Sequence, residues 1–527
     1  MTILTGLPET SLWANWKCLL ICAAVAAASM QYGLDSVVMA SLQAMPGFLV
    51  VFGYEDPSQS GGYAIERTFQ QLIGSLLTLG AFFSSLVAGA FAHFFGRKIA
   101  LWLACVLNVI ACAMQIASDQ RVAVYIGRLV LGLANGFLVT FSNIYTAEAA
   151  PAHLRAVMVA MFSEWVTIGS IIGAAVTNAT NRRMDRLSYQ IPLATLFIVP
   201  ALLAVVLLFV PESPRYLLYR GNKDAAREAL ETLRGSSVQS EELELEWVEM
   251  VKGIEEEKRT AISVGPLDMF RGTELRRTLL CCGVIATQTG SGARFLISYS
   301  TYFMVVAGVS VDDAFKYSVM KTCLGLVGVN IGIYLMRHVM GRRAVLMTGT
   351  AVQGCMMLGL AVSATAAPGT AAARRCVIAF TALFMGSYNA FGTASYPTAT
   401  ELVSTRLRSW SVGSAISLGY FLAWLTGFCS PYFINPENLN WGAKYGYIWA
   451  GSNFCCFVFF YLFLPETKGR ALEEIDELFA NRVSVRNFRA FKTSIMEDAL
   501  RNVNKGKEEA SGTLLREVEH SVVANKA

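Results

Sequence analysis

Four charged side chains stand inside stretches that are otherwise apolar: Asp35 in YGLDS, Arg128 in YIGRLVLGLANG, Glu164 in MFSEWV and Arg294 in SGARFL. An ionisable group in such a stretch is expensive unless it is paired or functional, so each marks a candidate site. Groups of this kind hold protons, ions or charged solutes; they do not by themselves make or break bonds. A second set sits where apolar runs give way to short polar loops. Glu148 and Arg155 are separated by seven residues, and Glu401 and Arg408 in ELVSTRLR repeat that spacing in the second half. Two halves with the same ending point to an internal duplication. The twelve cysteines fall in or beside apolar segments without a CxxC pair, and the four histidines fall in or near predicted loops. No zinc spacing and no nucleophile–base set appears, so neither an enzyme nor a metal or cofactor is expected.

The elements that carry these residues must be membrane helices. The 527 residues are 54% hydrophobic, and the mean hydropathy is +0.47. About twelve apolar windows are each long enough to span a bilayer. The predicted helices of the first half cover residues 16–48, with a bend near YGLDS, then 68–91, 99–117, 122–145, 157–177 and 191–210. Those of the second half cover 279–306, 317–336, 344–364, 377–400, 411–433 and 445–464. The charged interval 211–277 has helical periodicity and divides the spans six and six. The expected domains are therefore a bundle over 1–210, a helical linker over 211–277, a second bundle over 278–464, and a tail over 465–527. That tail begins as the amphipathic RALEEIDELF and is expected to end disordered. A soluble protein with buried helices is the less economical reading of such runs. The net charge of +5 is spread over loops and gives no sign of a nucleic-acid partner.

Basic loops set the orientation. HFFGRK at 93–98, the Arg155 loop, the central interval, HVMGRR at 338–343, TRLR and TKGR all fall on one side, which makes that side and both termini cytosolic. NRRMDR at 181–186 dissents. The first apolar segment is too long for a secretory signal and reads as the first span. Asn178-Ala179-Thr180 matches a glycosylation acceptor but lies close to a helix end. The two GR[KR] turns occupy matched positions after the second helix of each half. A transporter that rocks between states needs contacts that form and break at its ends, and arginine–carboxylate pairs supply them. Arg97 and Arg342 are the arginines; Glu148, Arg155, Glu401 and Arg408 are their expected partners. The alternative is that these turns only anchor topology.

PESPRYLLYRG (211–221) and PETKGRALEEIDELF (465–479) each follow the last helix of a half, adding Glu212 and Glu466 to the charged ends. Together with Gly127-Arg128, EAAPAHLR and the paired GR[KR] turns, these motifs resemble the sugar porter family of the major facilitator superfamily, from about Trp16 to Phe479. The resemblance implies an all-α membrane fold: two six-helix bundles, twelve transmembrane helices in all, around a central cavity, with a cytosolic helical domain between them. It also implies a plasma-membrane transporter of a sugar or sugar-like solute. Proton-coupled members carry an aspartate where Asp35 stands and pair it with the arginine that matches Arg128, so the resemblance favours proton symport. A salt bridge with no proton duty is the alternative role for that pair.

The solute positions depart from the family. Where hexose carriers read QQxxGxNxxxYYS, this chain reads QTGSGARFLISYS: Gln288 is kept, Thr289 replaces a glutamine, Arg294 an asparagine and Ser298 a tyrosine. Ser163 replaces the glutamine of helix five, Tyr396 replaces the tryptophan of helix ten, and His93 and His338 replace aspartates of the GR turns. Gln288, Asn389, Tyr388, Tyr396 and Trp424 remain able to meet hydroxyls and a ring face. The runs SYSTYF and SYQIP look more like fungal maltose-type carriers, which suggests a larger glycoside or an unusual polyol. A buried guanidinium at Arg294 needs an anion, either Glu164, the favoured partner, or a carboxylate on the solute. The rival functions are a carrier or exporter of another polar metabolite and a non-transporting sugar sensor of the same fold.

Overall fold

A computed structural model describes residues 15–57, 62–151, 154–235, 240–261, 265–404, 406–435, 438–468, 470, 472–488 and 491. The end of the tail, residues 492–527, lies outside the described residues, as do His153 and the side chain of Arg155. Among the described residues the only β structure is a two-residue ladder, Tyr54–Glu55 against Tyr63–Ala64, in the loop that follows the first long helix.

Among the described residues, six long helices form the first half: α1 Trp16–Leu42, α2 Arg67–Phe95, α3 Arg97–Ala117, α4 Arg121–Ala149, α5 Arg155–Thr180 and α6 Leu187–Phe209, with a short helix, Pro46–Phe52, after the first. The polar interval folds as α7 Pro214–Tyr219, α8 Lys223–Arg234 and α9 Ser240–Ala261. The second half comprises α10 Gly272–Gly290, α11 Ala293–Val306, α12 Val311–Val339, α13 Arg342–Ala366, α14 Ala371–Leu402, α15 Arg408–Ile434 and α16 Gly442–Phe463. The amphipathic α17, Leu472–Ala480, follows. Ten of these helices are long and apolar enough to cross a membrane. Their outer faces leave Leu208, Phe209 and Phe454 more than 60% exposed, an apolar perimeter suited to lipid and not to water. This is a multi-pass membrane protein.

Sequence accounts for the helix ends. Pro211 and Pro465 stand just past α6 and α16, where a proline cannot continue the ladder. Small residues set the helix spacing: a Cβ on Gly132 of α4 would lie 2.1 Å from the Leu77 carbonyl oxygen of α2, so the two backbones touch as membrane helices with small residues do. Three expectations need correction. The bend in α1 is a 3-10 turn at Ala27–Ser29, and YGLDS is helical. The predicted helix 16–48 does not run through: α1 stops at Leu42, and a separate short helix, Pro46–Phe52, follows. The predicted span 279–306 is broken: α10 stops at Gly290 and α11 starts at Ala293, with Gly292 between them at φ 82°.

The two halves meet through α2 on α15, α5 on α12 and α1 on α11. The first two pairs are each other's counterparts under the duplication. Contact is uneven along the helices. At the end away from the GR[KR] turns, one apolar cluster mixes Phe48, Phe52, Phe69 and Tyr189 of the first half with Tyr302, Met304, Val305 and Phe315 of the second. At the other end the buried side chains fall into two separate clusters, one around Leu101, Phe141 and Tyr145, the other around Leu280, Leu402 and Phe460. The halves share one apolar cluster at the first end and have separate clusters at the second.

Candidate functional site

Asp35 on α1 and Arg128 on α4 are both buried and form an ion pair, Nη1 to Oδ1, at 2.5 Å. Arg128 Nε also donates to the Ile73 carbonyl of α2 at 3.1 Å. A run of amides backs the pair: Asn135 Nδ2 donates to Asp35 Oδ2 at 3.5 Å, Asn108 to Asn135 at 3.4 Å, and Gln31 to Asn108 at 3.0 Å. Sequence reasoning missed these three amides because an uncharged residue in an apolar run carries no signal of its own.

Arg128 also lines a narrow cavity between the halves, with Ser36, Gln43, Gly74, Arg294 and Ser298. Gln43 was not foreseen; its amide donates to the Ser298 carbonyl across the halves at 3.2 Å and accepts from Gln70 at 3.0 Å. Arg294 enters because the break at Gly292 places it in the first turn of α11. A Cβ on Gly292 would come within 2.6 Å of Trp449 Cγ, so the break needs glycine for space as well as for its φ. Arg294 does not pair with Glu164, contrary to expectation. Its Nη2 donates to the Thr78 hydroxyl and its Nη1 to the Tyr32 hydroxyl at 3.4 Å, while Nε has no partner. Glu164 instead accepts from Asn330 Nδ2 at 3.5 Å. α5 and α11 turn these two charges toward different neighbours, which residue spacing alone does not reveal.

The remaining solute candidates divide among several places. Gln288 and Tyr388 line a second cavity inside the second half, with Thr287, Thr350, Gln353 and Ser395, and Gln288 Nε2 donates to the Gly392 carbonyl at 3.1 Å. Asn389 bonds its own helix at Met385, at 2.9 Å. Trp424 stacks between Phe421 and Phe428, with ring centroids 5.7 and 5.9 Å away. Tyr396 is 49% exposed, and Thr289 is buried in α10. Ser163 lies one residue from Glu164 on α5, half-buried. These do not converge on the cavity lined by the two arginines.

The charged ends repeat with close correspondence. Arg97 Nη2 pairs with Glu148 at 2.8 Å and stacks over Tyr216 at 4.9 Å; Ser213 Oγ donates to the other Glu148 oxygen at 2.5 Å. Glu212 accepts from the backbone amides of Arg97 and Lys98, at 3.3 and 3.1 Å, and so caps the N-terminus of α3. Burial pushes the Glu212 carboxyl up from its ordinary value, and those amide bonds pull partly against it. In the second half Arg342 pairs with Glu401, Thr467 Oγ1 donates to Glu401 at 3.1 Å, and Glu466 accepts from the Arg342 amide at 3.0 Å. Gly96 and Gly341 stand where a side chain would collide with Glu212 and Glu466. Both ion pairs lie within one half. Arg408 opens α15. The linker docks on the first half through Arg234, which pairs with Glu246 at 2.5 Å and donates at 2.9 Å to the Ala149 carbonyl that ends α4.

A family profile described as sugar (and other) transporter matches residues 21–479. The major facilitator-type transporter ecdD of Aspergillus rugulosus is 28% identical over 97% of this chain and 95% of its own. The high glucose sensor RGT2 of Saccharomyces cerevisiae is 29% identical over 86% of this chain and 60% of its own. Among solved structures, the proton:xylose symporter XylE, from E. coli, superposes with a TM-score of 0.68 at 19% identity, covering 88% of this chain and 100% of that one.

Proposed function

The chain belongs to the sugar transporter family of the major facilitator superfamily, and on that premise we propose that it carries a sugar-like solute across the plasma membrane together with a proton. Twelve spans make the two bundles when α5 and the broken α10–α11 are counted with the ten apolar helices. The linker helices, the GR[KR] turns and both termini lie on the cytosolic side. The dissenting basic loop accords with this, since Arg182, Arg183 and Arg186 are each ion-paired with an aspartate, at 3.0, 3.3 and 2.7 Å. An apolar cluster shared by the halves at the far end, with separate clusters at the near end, supports a carrier facing the cytosol.

The observation that carries the proposal is the buried Asp35–Arg128 pair, whose arginine lines the cavity between the halves. A proton arriving at Asp35 neutralises it and loosens its hold on Arg128. That lets α1 and α4 shift within the first bundle, and the halves rock with solute enclosed. XylE is a proton symporter and shares the fold, which is consistent with this cycle. The test is uptake of a labelled solute panel at acid and neutral outside pH, in cells lacking their own carriers. Asp35→Asn, fixed in the proton-loaded likeness, abolishes accumulation against a gradient and flattens the pH dependence, while exchange survives. Concentration by this variant with wild-type pH dependence would leave Asp35 a structural residue. The match to a glucose sensor favours a second reading, signalling without transport. Surface-resident protein that moves no member of the panel would support it.

A further inference from the structure

The membrane helices bury more positive charge than they neutralise. Among the described residues, the charged side chains buried in these helices are Asp35, Arg128, Arg277, Arg294 and Lys321: four cations and one carboxylate. Arg277 pairs with Asp476 of α17. Asp35 is held by Arg128 at 2.5 Å. Lys321 has only the Ser300 hydroxyl of α11, and a lysine can give up its proton to escape such a position. Arg294 cannot, because a guanidinium stays charged at any accessible pH. It is 7% exposed, bonded to two hydroxyls, with Nε unpartnered. Hydroxyl dipoles do not replace a counter-charge in low dielectric, so an arginine so placed is costly until an anion joins it.

Three features show where that anion would sit. Arg294 and Arg128 line the same cavity, and Asp35, which does not line it, is bonded to Arg128. Arg294 lies in the first turn of α11, whose helix dipole adds positive potential to that of the guanidinium. The cavity also offers Ser36, Gln43 and Ser298, whose hydroxyl and amide groups suit the hydroxyls of a polyol.

We propose that the solute is a sugar-sized polyol bearing a carboxylate, a sugar acid, whose carboxylate is bound by Arg294. This rests on the transport reading for its location but not for its test, because binding can be measured without transport. The full chain in lipid nanodiscs is assayed with labelled glucuronate, galacturonate and gluconate against glucose. The acids bind at least roughly tenfold more tightly than glucose, since the neutral sugar leaves a buried charge unmatched. Arg294→Asn loses that preference and binds glucose as well as or better than the acids; Arg294→Lys, which keeps a charge without the planar fork, retains part of it. Retained glucose binding in Arg294→Asn shows that the variant is folded. Equal or tighter binding of glucose by the wild type, no binding of any acid at millimolar concentration, or an unchanged preference in Arg294→Asn overturns the proposal. Displacement of the acids by chloride or inorganic phosphate at similar concentration also overturns it, leaving Arg294 a general anion site. Binding of the acids without uptake in cells sinks the transport reading alone.

Discussion

Arg97 and Arg342 each open a helix and join two carboxylates: Glu148 or Glu401 at the end of the following helix, held by the side chain, and Glu212 or Glu466 of the PES or PET segment, held by the backbone amide. Both pairs are half-buried, so removing one partner leaves a carboxylate short of its charge-assisted bond, at a cost of about 1–3 kcal/mol. Because each pair ties the ends of one bundle together, we expect Arg97→Ala and Arg342→Ala to insert normally and reorient several-fold more slowly. Uptake rate per surface-labelled molecule measures this; normal rates in both variants would reduce the turns to topological anchors. These charged residues stood out in the sequence because charge is rare in or beside apolar runs, and the repeat gave each one a counterpart. The amides that back Asp35, Gln31, Asn108 and Asn135, did not stand out. Arg294 was found, but its partner was misassigned, because two charges on different helices do not disclose which way each helix is turned.

The break between α10 and α11 decides what Arg294 can reach. A hydropathy window reads QTGSG as a slightly polar patch in one long helix, and small residues are compatible with either continuation or interruption. Only the φ of 82° at Gly292 and the Trp449 ring beside it distinguish the two. Element existence was otherwise well signalled, since a bilayer demands long apolar runs and prolines mark their ends. Gly292→Ala adds a methyl where the backbone conformation resists it and Trp449 occupies the space. We expect a loss of roughly 1–3 kcal/mol in stability, read as a lower melting temperature of the purified protein, with solute affinity weakened in step. An unchanged melting temperature would mean that α10 and α11 can join without strain.

At the scale of the whole molecule, the duplication makes the two halves near equivalents, yet the cavity between them is not evenly charged. Two guanidiniums line it, from α4 and α11, and the carboxylate of Asp35 on α1 is bonded to the first of them. That imbalance has an electrical consequence. Each elementary charge carried across the membrane couples to the voltage by about 2.3 kcal/mol per 100 mV. A proton travelling with a neutral sugar moves one charge and draws on that energy. A proton travelling with a carboxylate moves none, so the pH difference alone drives uptake and the voltage is a bystander. Sugar-acid uptake into proteoliposomes is therefore expected to generate no current and to survive collapse of the membrane potential by valinomycin and potassium. Collapse of the pH gradient should abolish its accumulation. A steady inward current carried with the acid would mean that more than one proton accompanies it, and that a second group besides Asp35 takes part.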